Sequence, residues 1–528
     1  MGGAFSLIVG RASGLFEEHT ERVRDNDMKN ASSFMLRRFA PAALALVMLL
    51  SALLVSCGET VVNNGDDTTA PAQSAGTEAA SAEVETEVSD DIPEGTEFGG
   101  ATVSMLYWED VENQEYFAEE ERGALVNDAI FARNTRVSER LKISFEFTPT
   151  KGNSSHANNY LDYVKKNVNG GTDPFDIISA YSRSMGLCAY NGLTAPITDH
   201  PVVNLSKPWW PESLVSTSTI GGKVYFVSGD ISTNLLYMMY VVFYNKDLME
   251  DTHREDPYAA FDDGSWTLEL FISLVSGMYS DADGSGNVTQ GDQFGLVDLA
   301  LHTDAFLFGS GLSGIDTSSG KLALSDEFAG EKTATLVEKI QGLFAGDDAQ
   351  IMGSNSEYKP IFADGRSLFV VDRADIAIYD LNEKMFDLGV LPVPKYDGNQ
   401  ERYLTAVGNP FSLYAIPVNA PEKEMSATVI EALASESYRT LVPAVFELTM
   451  KTKYAEAADD AVVYDTVRNG CVFDLCRIFW NVFGSSQAPD SLFETAIKGT
   501  SSWSSVFGPA KKAVQNTIKK INKAFDLD

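Results

Sequence analysis

The sequence predicts an α/β fold built on a parallel sheet with helices on both faces. Three observations lead to it. Short apolar strands alternate with amphipathic helical runs from residue 101 onward. The first five elements follow the order β-α-β-α-β. The apolar fraction, 44% of 528 residues, supports a large core, and that length predicts two or three folded units plus appendages.

Each element has its own signal. ATVSMLYW (101–108) is a strand, and LVNDAIFARNTRVSERL (125–141) places apolar residues at helical spacing. KISFEF (142–147) alternates as a strand does, and SHANNYLDYVKKNV is a second helix. The turn signal Gly170-Gly171-Thr172-Asp173-Pro174 follows, then the buried-type strand FDIISAY. KVYFVSG, further on, is expected to be another strand. Ligands of such sheets bind beyond the C-terminal strand ends.

The N-terminus has a different character. Lys29, Arg37 and Arg38 precede the apolar run Phe39 to Val55. That is a basic region followed by the hydrophobic core of a signal peptide, slightly short for a membrane span. It ends in Leu54-Val55-Ser56-Cys57, which resembles the bacterial lipoprotein box. The resemblance implies that Cys57 is lipidated and becomes the mature N-terminus. Residues 1–27 are then an upstream extension, with Met28 the expected start, and 28–57 the signal. Residues 58–97 are rich in Asn, Asp, Thr, Ala, Ser, Glu and Gly, with neither Lys nor Arg. Such a segment cannot bury enough apolar surface to offset its ordering entropy, so a disordered acidic tether is expected.

The formal charge of -35 excludes nucleic acid, whose phosphates need basic clusters, and adhesion to anionic lipid by charge alone. Of four cysteines, Cys188, Cys471 and Cys476 remain beside Cys57, an odd set with no CxxC pair. Buried free thiols are expected, the last two within a helical run, CVFDLC.

Residues 281–292 fit the EF-hand calcium loop. Asp281, Asp283 and Ser285 supply oxygens at positions one, three and five, and Gly286 the turn at six. Asn287 offers its carbonyl at seven, and Asp292 closes at twelve where Glu is usual. A structural calcium ion is the expected cofactor. Gly309-Ser310-Gly311-Leu312-Ser313-Gly314 matches G-x-G-x-x-G, but a turn-like stretch follows instead of a helix, so it is a loop. The five histidines are scattered, and neither HExxH, GxSxG nor a Walker loop occurs. No enzyme activity is expected, although the carboxylates alone leave a glycosidase pair open.

Several segments in fixed order carry a family resemblance: DPFDIISA (173–180), Pro208-Trp209-Trp210-Pro211, Gly229-Asp230, VVFYNKDLME (241–250), FADGRSLFVV (362–371) and LGVLPVPKYDGNQERY (388–403). Over residues 98–528 the chain resembles the carbohydrate-type extracellular solute-binding proteins, relatives of maltose-binding protein in their clostridial lipoprotein form. The resemblance implies a two-lobe periplasmic-binding-protein fold of type II, its lobes joined by a multi-strand hinge. Lobe 1 is expected at about 98–230 and 412–455, lobe 2 at about 236–405 and 460–528. It also implies a carbohydrate ligand in the cleft, ABC permease subunits as partners, and a place on the extracellular face of the membrane. A monomer is expected. The alternative of a different class is a surface carbohydrate-active enzyme.

Sugar recognition needs aromatic faces and polar groups that answer hydroxyls. The expected ligand-binding residues are Trp108 at the end of the first strand, Tyr181 and Arg183 after FDIISA, Asp230 at the hinge, and Trp480 from the second lobe. Trp266 is expected in the core.

Overall fold

The computed structural model describes residues 88–171, 173–381, 383–446 and 458–527. Strands β1 (Ala101–Trp108), β2 (Ile143–Thr150), β3 (Ile177–Tyr181) and β4 (Thr194–Ala195) come first, with helices Leu125–Leu141, Ala157–Gly170 and Ser182–Tyr190 between them. A small hairpin, β5 (Thr219–Ile220) and β6 (Lys223–Val224), follows. Then come β7 (Tyr240–Asn245), β8 (Phe294–Leu299), β9 (Ile315–Asp316), β10 (Ala323–Leu324), β11 (Ala349–Met352), β12 (Ser367–Arg373) and β13 (Leu388–Leu391). β14 (Thr405–Ala406), β15 (Ser412–Pro417) and β16 (Cys471–Val472) complete the set.

Two five-stranded sheets define two lobes. The first has the order β2-β1-β3-β15-β4, with β1 parallel to β2 and β3, and β15 antiparallel to both its neighbours. The second has the order β11-β8-β12-β7-β13, in which only β7 runs against its neighbours. In this mixed α/β architecture the first lobe completes its sheet with β15 from a distant part of the chain, whereas the strands of the second sheet all lie within residues 240–391.

The expected early elements form where their periodicity puts them. Helix Leu125–Leu141 buries Ile130, Arg133, Val137 and Leu141, a single face at helical spacing. It stops at Lys142, whose left-handed backbone closes the last turn through a bond to the Ser138 carbonyl. That face packs on helix Lys423–Glu436.

Three segments pass between the lobes. Residues 227–239 and 407–414 run antiparallel, bridged at Val227–Tyr414 and at Met239–Val407. The third is β16, parallel to β14. KVYFVSG is therefore not the strand its alternation suggests. Only Lys223–Val224 and the single bridge at Val227 pair, because the chain leaves the sheet here to cross.

Two further expectations change. CVFDLC is not one helix: β16 takes its first two residues, and Asp474 caps a new helix, Leu475–Ile478, by accepting from the Cys476 amide. Cys188, Cys471 and Cys476 are buried free thiols. The folded body also takes in residues ahead of 98. Ile92 is buried, and Arg140 clasps Asp90 with two bonds of 2.6 and 2.7 Å. Asp91 adds an ion pair to Lys207 at 2.8 Å and accepts from Asn204 at 2.6 Å, so several contacts dock the end of the acidic segment. The rest of that segment, the signal and Cys57 lie outside the described residues.

Trp266 is fully buried, its indole N–H donating to the Pro392 carbonyl, one residue ahead of the Thr267 cap of helix Leu268–Val275. Among the described residues, no helix is long and apolar enough to cross a membrane.

Candidate functional site

The C-terminal ends of β1 and β3 face the second lobe. β3 runs directly into helix Ser182–Tyr190, which delivers Tyr181 and Arg183 to the inter-lobe boundary. The Arg183 guanidinium lies 4.3 Å over the Trp480 ring, and its Nη2 donates to Asp490 at 3.4 Å. The Asn409 amide, with its oxygen turned to the two guanidiniums, accepts from Arg183 at 2.8 Å and Arg477 at 3.2 Å. Asp304, at the start of the helix that follows β8, lies 3.9 Å from Arg477. Of the expected residues, the structure thus brings Arg183 and Trp480 together.

Burial sets the electrostatics. Removal from water pushes the carboxyls of Asp304, Asp490 and Glu494 above the ordinary carboxylate range. Mutual repulsion among these groups adds to that, and Arg183 and Arg477 oppose it. At the rim, Glu112 pairs with Arg373 at 3.1 Å, and the Tyr379 hydroxyl donates to Asn113. Both contacts join the loop after β1 to lobe 2, so the lobes are drawn together around the site.

Trp108 and Tyr181 are placed deeper. Trp108 is 1% exposed, its ring edge-on to Tyr181 at 5.5 Å and its Nε1 donating to Ser412 at 2.9 Å. Gly152 lies against it so closely that a Cβ there would come within 2.7 Å of the Trp108 Cβ. Trp108 is a core side chain in this arrangement, with no ring face open to a ligand, and Tyr181 backs it at 4% exposure. A strand end predicts position along the sheet but not which face a side chain takes.

Asp230 stands elsewhere. It faces a cavity of about 560 Å³ lined by Trp210, Leu235, Leu236, Tyr438 and Arg468, and Trp108, Tyr181, Arg183 and Trp480 do not line it. Arg468 donates to Asp230 at 2.9 Å. Burial pushes the Asp230 carboxyl up to about 6, with Arg468 opposing. Asp230 is therefore neutral in the folded state over a window in which it ionises when unfolded. Its contribution is fully present below about pH 4 and is lost as pH rises through about 6. Asp230→Asn is expected to stabilise the protein at pH 7.5 by up to about 3 kcal/mol, with no gain at pH 4. Urea denaturation at the two pH values checks this, and an equal effect at both would contradict it.

A second centre lies in the loop before β8. One carboxylate oxygen each from Asp281, Asp283 and Asp292 lies within 4.8 Å of the others. The Ser285 and Gly286 amides donate to Asp281, and the Thr289 hydroxyl donates to Asp283 at 2.6 Å. Gly286, at loop position six, has φ of 72°, a left-handed turn that suits glycine. The Ser285 hydroxyl donates to the Asn287 carbonyl at 3.0 Å. Asp292 is fully buried: Oδ2 accepts from the Thr289 amide and the Tyr279 hydroxyl, while Oδ1 has no hydrogen-bond partner. A buried, half-satisfied carboxylate beside two exposed ones suits a hard cation that takes oxygen ligands.

Asp304, Asn409, Arg477, Asp490 and Glu494 were not foreseen. They come from three distant stretches of chain, and each looks locally like an ordinary polar residue.

Among solved structures, a galacto-N-biose/lacto-N-biose I-binding protein of an ABC transporter from Bifidobacterium longum is similar at 15% identity and TM-score 0.55, over 81% of this chain and 99% of that one. A cyclic alpha-maltosyl-1,6-maltose binding protein from Arthrobacter globiformis matches at 13% identity and TM-score 0.54, over 80% and 100%. A cyclo/maltodextrin-binding protein complexed with maltotetraose matches at 15% identity and TM-score 0.53, over 79% and 97%. At such identities these likenesses establish the two-lobe fold. The search of curated proteins found no match. A family profile described as bacterial extracellular solute-binding protein matches residues 153–445. That stretch is more than half of the 528 residues and takes in strands of both lobes, so the chain belongs to the bacterial extracellular solute-binding protein family, a family of binding proteins and not of enzymes.

Proposed function

We propose that the protein captures a sugar or oligosaccharide between its lobes and delivers it to the permease of an ABC importer. The observation that carries this is the meeting of Arg183, Trp480, Asp490 and Asn409 where the lobes close. An aromatic ring flanked by charged hydrogen-bonding groups is the chemistry that a pyranose needs. Three similar structures are named for the sugars they bind, in line with this reading. A thermal-shift screen against an oligosaccharide panel, with chromatography of the recovered sugar, is the test. A binding protein gains stability with at least one sugar and returns it intact; cleavage would favour the surface enzyme instead.

On this reading the protein is held at the outer face of the cell membrane by lipid on Cys57. Cys57→Ala is expected to abolish incorporation of labelled fatty acid, and continued labelling would remove the anchor from the proposal.

Calcium is proposed as a structural ion held by Asp281, Asp283 and Asp292. Bound there, it would neutralise three converging carboxylates and fix the loop ahead of β8. Chelator is expected to lower the melting temperature, since ion at 100 times its dissociation constant adds about 2.7 kcal/mol. In Asp281→Ala the difference should vanish; superimposable parent melts with and without calcium would refute the site.

A further inference from the structure

A cavity of about 830 Å³ opens on lobe 1 at the end of the sheet opposite the cleft. Ala101, Thr102 and Ser104 open β1, and Pro174 to Asp176 lead into β3, so the N-terminal strand ends line it. At the rise of a strand, β1 puts Ala101 about 23 Å from Trp108 at its cleft end. Arg183, Trp480 and Asp490 do not line this cavity.

The floor follows from strand register. Ser104 of β1 pairs with Glu146 of β2, and Thr102 lies two residues back on the same face. Short hydroxyl side chains leave that face low. Tyr163, on helix Ala157–Gly170, and Phe175 stand beside it, their ring centres 6.3 Å apart. Tyr163 is 41% exposed.

Four carboxylates line the cavity, those of Glu146, Asp173, Asp176 and Glu422, with no lysine, arginine or histidine among the lining residues. Among the described residues, none of the four is in an ion pair. Asp176 is 4% exposed. Its Oδ2 accepts from the Ser104 amide at 2.8 Å and from the Ser104 hydroxyl at 2.9 Å, whereas Oδ1 has no hydrogen-bond partner. A buried carboxylate oxygen without a donor is costly, and a charge so placed is weakly screened. The four carboxylates do not converge as the three of the loop before β8 do, so one metal ion does not answer them.

We propose that this cavity binds a free organic polycation, a linear polyamine whose ammonium groups are spaced by methylenes. Spaced ammonium groups answer spaced carboxylates, and Asp176 gains the donor that Oδ1 lacks. Tyr163 and Phe175 offer ring faces to an ammonium and apolar contact to the methylenes. The volume lies in the range of small-molecule sites, about 300–1,000 Å³. The site is remote from the cleft, so this inference does not rest on sugar capture, and both ligands can be held at once.

The experiment is calorimetry on the full chain with spermidine, with excess calcium throughout to keep the acidic loop before β8 from taking the probe. The parent should bind spermidine saturably, one to one. Asp176→Asn should weaken it at least tenfold, and so should Glu146→Gln combined with Glu422→Gln. Glu338→Gln combined with Glu401→Gln removes the same charge from exposed positions on lobe 2 and should leave the affinity within twofold. Absence of saturable binding, or an equal loss in the two glutamine pairs, overturns the site. Tighter binding of tri-lysine than of spermidine overturns the free polyamine as its ligand. Glu146 and Glu422 are both exposed, so their pair decides even where Asp176→Asn does not fold.

Discussion

Glu115→Ala is expected to lower the unfolding free energy by about 3–5 kcal/mol. Glu115 is fully buried in the loop after β1. Its carboxylate accepts from the Ser232 and Thr233 hydroxyls, from the Asn234 amide and side chain, and from the Tyr414 hydroxyl, at 2.9 to 3.4 Å. These donors lie on two hinge segments, so one side chain ties the loop to both. Alanine would take an acceptor from five buried donors, of which the Asn234 side chain and the Tyr414 hydroxyl keep a second one at the Asn113 and Ile231 carbonyls. Glutamine keeps the size and one acceptor oxygen and should cost less. Guanidinium denaturation of the two variants measures the difference. A loss below about 1 kcal/mol for alanine would mean that other groups take over the donors.

The second large effect concerns Trp108. As a stacking platform it would be dispensable for folding. As placed, its Cβ lies against Gly152 and its ring packs edge-on to Tyr181. Trp108→Ala should therefore cost about 3–5 kcal/mol of stability, through lost contact and a residual cavity. The bond to Ser412 goes with it, and Ser412 is also bonded to the Tyr116 hydroxyl. Thermal melting and near-ultraviolet circular dichroism are the measurements. A variant that melts like the parent but fails to bind sugar would restore the platform role.

What could be read from the sequence followed from what is local. β1, helix Leu125–Leu141 and β3 were legible because a repeat of 2 or 3.6 residues records which face is buried. The acidic loop was legible because all its carboxylates fall within twelve positions. KVYFVSG and CVFDLC misled for one reason: both alternate or run apolar while passing through the hinge, where burial comes from two lobes and not from one sheet face. The site was half legible. Arg183 and Trp480 could be picked from strand ends and aromatic content. Asp304, Arg477 and Asp490 could not, since only tertiary packing makes them neighbours, and a charge on a helix ordinarily reads as solvated surface.

The order of strands in the first sheet has a consequence for biosynthesis. β15 is wedged between β3 and β4, and among the described residues β4 pairs with β15 alone. As the chain emerges from the ribosome, β4 ends at Ala195, whereas β15 begins at Ser412, after all of the second sheet has been made. Until then the nascent first lobe carries an open internal edge, the kind of surface that pairs with other chains. Its contact order is correspondingly high and its final closure slow. Fragments cut at the first crossing should aggregate, whereas a circular permutant that joins 412–436 directly to the first lobe should give that lobe a sheet it can complete alone.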